Sequence, residues 1–142
     1  MRKTMIAMLL MLLAGTSAFA QVKTFVTVVE DELLTVNASD SEWRVPDAHR
    51  VWVRYDYHSP KDCKKAAKLD GVFGKAVRAE LLYEYDEYLL KYRILRKVYY
   101  DKNNREIGVV RYDNASWNSI GDMDYSLKIG IYMTGAFHIV AG

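Results

Sequence analysis

Residues 51–57 alternate strictly: Val51, Val53, Tyr55 and Tyr57 fall on one face of an extended strand, and Trp52, Arg54 and Asp56 on the other. Alternation at period two marks a half-buried strand. The run of Phe25, Val26, Val28 and Val29 predicts a strand over residues 24–30, and Asp31-Glu32 predicts a turn into another over residues 33–37. Further on, Tyr83, Tyr85, Tyr88, Tyr92, Tyr99 and Tyr100 crowd a block too aromatic for a helix. It reads as two strands, residues 81–86 and 92–100, with Tyr92, Ile94, Val98 and Tyr100 sharing one face, interrupted only by Arg96. Asp101-Lys102-Asn103-Asn104-Arg105 is turn chemistry, because Asn and Asp accept left-handed backbone, and residues 106–112 return as the next strand.

The period then changes. Tyr125, Ile129, Tyr132, Met133, Ala136, Phe137 and Val140 recur at helical spacing, with Asp122 or Asp124 available as a cap. Gly130 and Gly135 each weaken such a helix by about 1 kcal/mol relative to Ala, so it needs a sheet to pack on. Both prolines, Pro46 and Pro60, sit at strand edges, and no linker or repeat divides the chain. The prediction is an α+β two-layer single domain: an antiparallel sheet of about five to six strands with the C-terminal helix packed on one face.

The first twenty residues follow a different logic. Arg2 and Lys3 precede a short apolar run, and Ala18-Phe19-Ala20 closes it with small residues at the last and third-last positions. That is the pattern of an export signal over residues 1–20, too short to span a bilayer, which leaves residues 21–142 as the mature domain with Gln21 first. Leu13-Ala14-Gly15 commonly precedes a lipidated cysteine, but Thr16 follows, and a hydroxyl cannot carry the thioether-linked lipid. The expectation is an exported chain, periplasmic or extracellular, without a lipid anchor and with no integral membrane segment once the signal is removed.

Removing the signal takes two bases and no acid, so the net charge falls from +2 to 0. Balanced charge argues against general nucleic-acid binding, although a local basic patch can still act. One such patch is present. Lys61, Lys64, Lys65 and Lys68 follow a helical spacing, and Lys75 and Arg78 extend the run against only Asp62 and Asp70, a local charge of +4. These six are the candidate binding residues, suited to a sulfated glycan, an acidic protein or a phospholipid surface; the commoner reason for such a run is a solvated helix or loop.

Candidate catalytic chemistry is thin. His49, His58 and His138 lack the spacing that places two imidazoles on one helix face, so no metal is expected. His58 with Asp62 and Cys63 makes a conceivable loop site, better explained as solvated residues. Cys63, the single cysteine, can form no intramolecular disulfide and reads as a tolerated surface residue. There is no nucleophile elbow and no glycine-rich phosphate loop, so neither catalysis nor a cofactor is expected. Glu84, Asp86 and Glu87 offer carboxylates in proximity, but Glu84 and Asp86 lie opposite Tyr83 and Tyr85, which reads as a solvated strand face. All eleven tyrosines follow Arg54, most of them as core and a surplus as surface.

In order, Val51-Trp52-Val53-Arg54-Tyr55-Asp56-Tyr57, then Tyr85-Asp86 and Tyr92-Arg93-Ile94-Leu95, then Tyr99-Tyr100-Asp101, and Trp117 ahead of a terminal helix, resemble the surface-adhesin protein E-like family of exported bacterial proteins. The match runs from about Trp43 to the C-terminus, and agreement of order and spacing gives it its specificity. The resemblance implies an antiparallel sheet carrying a helix and adhesion to host matrix or serum proteins. Family members often tether that helix by a disulfide; here Glu87 follows Tyr85-Asp86 where a cysteine is common, so docking is expected to rest on apolar burial alone. The functional expectation is a non-enzymatic binding protein with a protein or anionic-glycan partner, and the alternative is a periplasmic small-ligand binder or enzyme using a sheet–helix cleft.

Overall fold

The computed structural model describes residues 24–39, 49–121 and 124–141, with side chains of the last helix described through Thr134. The segment 1–20 expected to be an export signal, Gln21, Trp43, Pro46, Asp122 and the side chains of Ala136, Phe137, His138 and Val140 lie outside the described residues. The elements are β1 (Phe25–Glu30), β2 (Leu34–Ser39), β3 (His49–Tyr57), α1 (Pro60–Leu69), β4 (Arg78–Tyr85), β5 (Lys91–Tyr100), β6 (Glu106–Arg111), β7 (Asn118–Ser119) and α2 (Ser126–Ala141). Strands β1 to β6 pair in sequence order as an antiparallel meander, and the short β7 adds to β5. This is the α+β two-layer arrangement the hydrophobic pattern predicts, with α1 as an additional helix.

The β1–β2, β4–β5 and β5–β6 turns are each closed by a carboxylate. Asp31 Oδ1 accepts the backbone N–H groups of Leu33 and Leu34 at 2.8 and 2.9 Å, turning β1 into β2. Asp86 Oδ1 does the same for Leu90 and Lys91, with Leu89 in the left-handed region at φ 56°. Asp101 Oδ1 takes Asn103 and Arg105, and Asn104 turns at φ 61°, as its position in the Asp/Asn-rich segment predicts.

One face of the sheet holds the core. Val36, Ala38, Val51, Val53, Leu81, Tyr83, Tyr85 and Tyr99 are buried there together with Cys63 and Ala67 of α1 and Ile129 and Met133 of α2. Both helices therefore cover the same face. Truncating Ile129 or Met133 to Ala would cost about 2–5 kcal/mol.

Strand β5 departs from the simple alternation. Ile94 pairs with Tyr83 but Arg96 pairs with Leu82, which leaves Leu95 as an extra residue. Such a bulge reverses which face later residues occupy. Tyr92 and Ile94 face the core as expected, but beyond the bulge it is Tyr99 that enters it, while Tyr100 lies on the other side under the Arg78 guanidinium, 4.5 Å from its ring centre.

The terminal helix is not held by apolar burial alone. Tyr85 donates to the Ser126 carbonyl at 2.7 Å, Tyr92 to Asp124 Oδ2 at 2.7 Å, and Tyr125 to Asp31 Oδ2 at 2.5 Å. Asp124 also accepts the Ser126 N–H at 2.8 Å at the helix start, in the capping role foreseen for it. The rings of Tyr83, Tyr85 and Tyr92 stack with centres 5.8–6.3 Å apart, forming an aromatic layer between sheet and helix.

Candidate anion-binding surface

Helix α1 begins after Ser59 with Pro60 at its first turn, where a missing N–H costs nothing, and Asp62 supplies an acid near the positive end. Cys63 and Ala67, four residues apart, bury one face. Lys61, Lys64, Lys65 and Lys68 are consequently all exposed on the other. The helix ends at Asp70, whose carboxylate accepts Lys97 Nζ at 3.0 Å and the Tyr99 hydroxyl. Gly71 then turns through φ 78°, and the Val72 N–H returns to the Ala67 carbonyl at 2.8 Å.

The chain next runs through Lys75 and the buried Ala76 to Val77, whose N–H donates to the Tyr100 carbonyl at 2.9 Å. That bond brings the lead-in of β4 beside the β5–β6 turn, and a groove of about 700 Å³ forms between them and the start of α1. Pro60, Ala76 and Val77 line it with apolar groups, and Lys61, Lys64, Lys75 and Lys102 line it as well. Asp101 is the single acid on the lining. Its carboxyl is held below the usual range by the Arg105 backbone N–H and serves the turn. Four lysines against one acid around a largely apolar groove give its surroundings a positive balance that favours an anion.

Of the six expected binding residues, Lys61, Lys64 and Lys75 meet in this groove. Lys65 and Lys68 lie exposed on the same helix outside it. Arg78 does not join them: it sits on the opposite face of the sheet, stacked on Tyr100 and donating to Asn104 Oδ1. Lys102, which completes the set, reads in the sequence only as part of a turn. The pairing of the start of β4 with the end of β5 is the signal that could have placed it.

Two other expectations are corrected. Cys63 is fully buried rather than a surface residue, because it occupies the core-facing side of α1; desolvation pushes its thiol up to about 11. Glu84 is not on a solvated face: it is 5% exposed and clamped by two arginines. Arg50 Nε donates to Oε2 at 2.8 Å, and Arg93 donates to Oε1 from Nε at 2.7 Å and Nη2 at 2.6 Å while stacking 4.3 Å above Trp117. Burial alone would raise this carboxyl, but the bonds from Arg50 and Arg93 outweigh it and hold the pKa below the usual value. Arg50, Arg93 and Trp117 line an open pocket of about 540 Å³ on this face.

His58 turns away from Asp62 and Cys63, with Nε2 3.0 Å from Thr35 Oγ1 and Nδ1 3.2 Å from the Glu32 carbonyl. Among the described residues no three His, Cys, Asp or Glu side chains are grouped to hold a metal ion. No helix among them is long and apolar enough to cross a membrane. No protein-family model, curated protein or solved structure matches this chain.

Proposed function

We propose that this chain is an exported, non-enzymatic binding domain of adhesin protein E-like type whose basic surface around α1 holds a polyanionic partner, an anionic glycan or an acidic face of a protein. The convergence of Lys61, Lys64, Lys75 and Lys102 on one groove carries the reading. Three separated stretches of chain supply those charges, so the cluster is a product of folding and not merely of a basic run. Binding fits better than catalysis. The one thiol is buried and protonated at neutral pH, and Glu84 is kept ionised by its arginines, which makes it a poor general acid.

Retention on immobilised heparin, eluted with salt, tests this. Wild-type protein should elute well above the salt of a neutral control, as charge neutralisation predicts. Lys64→Glu and Lys102→Glu should each lower the eluting salt, while Arg78→Glu, on the other face, should not. Absence of retention at low salt, or retention indifferent to both groove variants, would overturn the proposal. A small-ligand reading draws on the Arg50–Glu84–Arg93 pocket with its exposed Trp117; titrating metabolites against Trp fluorescence, with Trp117→Phe as control, tests it separately.

A further inference from the structure

The largest exposed apolar groups stand beside the lysines. Leu69 is 82% and Phe73 is 77% exposed, the two highest values among the large hydrophobic side chains of the described residues. Helical spacing puts Leu69 on the same outward arc as Lys61 and Lys65, one residue beyond Lys68. Phe73 follows on a turn that is fixed in place. Gly71 supplies the left-handed step, the Val72 N–H bonds to Ala67, and the Val72 methyls sit so close to Gly108 that a Cβ there would approach them to 2.6 Å. Val72 is thus tucked in and Phe73 thrown out. Asp70, the acid at this end, is already engaged by Lys97 and Tyr99 and does not neutralise the stripe.

A soluble glycan gains nothing from an exposed Leu and Phe, whereas a bilayer with acidic headgroups rewards both halves of this surface. Lysines are attracted to the headgroup charge, and apolar tips partition beneath it. We propose that the outward face of α1 and the Phe73 turn are a peripheral contact for an anionic phospholipid bilayer, with Lys61, Lys64, Lys65 and Lys68 at the headgroups and Leu69 and Phe73 inserted. This rests on the polyanion reading above, shares Lys61 and Lys64 with it, and takes an anionic bilayer rather than a glycan or protein face as the partner.

Sedimentation with phosphatidylglycerol-containing and pure phosphatidylcholine vesicles tests it, with parent and variants compared in the same full-chain form so that residues 1–20 contribute equally. The parent should partition onto the anionic vesicles and much less onto the zwitterionic ones. Leu69→Ser/Phe73→Ser should lower anionic partitioning by about tenfold or more with heparin retention unchanged. Lys64→Glu/Lys65→Glu/Lys68→Glu should abolish both. As a readout independent of affinity, Phe73→Trp should shift its emission to the blue on anionic vesicles. Equal partitioning of parent and Leu69→Ser/Phe73→Ser, equal binding to both vesicle types, or no binding at all would each sink the bilayer contact. In those cases preserved heparin retention leaves the polyanion reading standing, and its loss in the parent removes that reading instead.

Discussion

The Tyr85 hydroxyl donates to the carbonyl oxygen of Ser126 at 2.7 Å, fully inside the protein, and so ties the end of β4 to the first turn of α2. Tyr85→Phe keeps the ring and its stacking on Tyr83 but removes that bond. The variant should lose about 1 kcal/mol of stability, the usual net worth of one buried hydrogen bond. Urea denaturation with an unchanged m-value checks it. A larger drop in m would signal that α2 had come away from the sheet.

Tyrosines on both faces of the sheet make the fold sensitive to alkali. Burial pushes the phenols of Tyr57, Tyr92 and Tyr100 up to about 12, and those of Tyr55, Tyr83, Tyr85, Tyr99 and Tyr125 are raised as well. A raised folded-state value means the protonated phenol is the stabilising form. Its contribution is complete below pH 10.0, the ordinary phenol value, and is lost as pH climbs from there towards 12. Ultraviolet titration should show few tyrosines ionising in the native state and the rest ionising in one step together with loss of near-ultraviolet circular dichroism.

Glu84 acts in the opposite direction on the acid side. Its folded pKa lies below the ordinary 4.5, so the stabilisation it provides is present above that value and is lost as pH falls through the depressed one. Glu84→Gln removes the charge and leaves Arg50 and Arg93 without it. With Arg50 41% and Arg93 30% exposed, solvent softens the penalty, and a loss of about 1–2 kcal/mol at pH 7 is expected, shrinking at low pH. Thermal melts across pH 3–7, on the order of one unit apart, compare the two proteins.

Two glycines should respond with opposite sign to alanine. At Gly108 a new Cβ would meet Val72 Cγ atoms at 2.6 Å, with the short Val72 side chain unable to swing aside, so Gly108→Ala should cost about 1–3 kcal/mol. At Gly130 the nearest atom, Tyr85 Cε1, is 3.4 Å away, an ordinary contact, so Gly130→Ala should stabilise α2 by up to about 1 kcal/mol. Differential scanning calorimetry ranks the pair; the reverse order would contradict the packing described.

Much of this architecture is legible in the amino-acid sequence. Alternation over residues 51–57, the Asp/Asn turn at 101–105 and the helical period from Tyr125 each report a local preference, and local preferences are what a sequence states directly. The failures are non-local. No neighbour in sequence shows that Leu95 is bulged out, so the assignment of Val98 and Tyr100 to the face of Tyr92 could not be corrected from β5 alone. Glu84 looks solvated until Arg50 and Arg93 arrive from the strands on either side. Cys63 looks exposed while its lysine neighbours are counted, because the burial of one helix face depends on a sheet supplied by other segments. At the basic surface, sequence proximity grouped Arg78 with the lysines and missed Lys102; strand pairing did the reverse.

The groove has one more consequence. Lys75 and Lys102 are distant along the unfolded chain from each other and from the neighbouring Lys61 and Lys64, yet line one groove with them in the folded protein, so folding brings like charges into mutual repulsion. Simple salt should therefore raise the melting temperature of this domain by screening that repulsion. A multivalent anion seated in the groove should raise it further, by replacing repulsion with attraction.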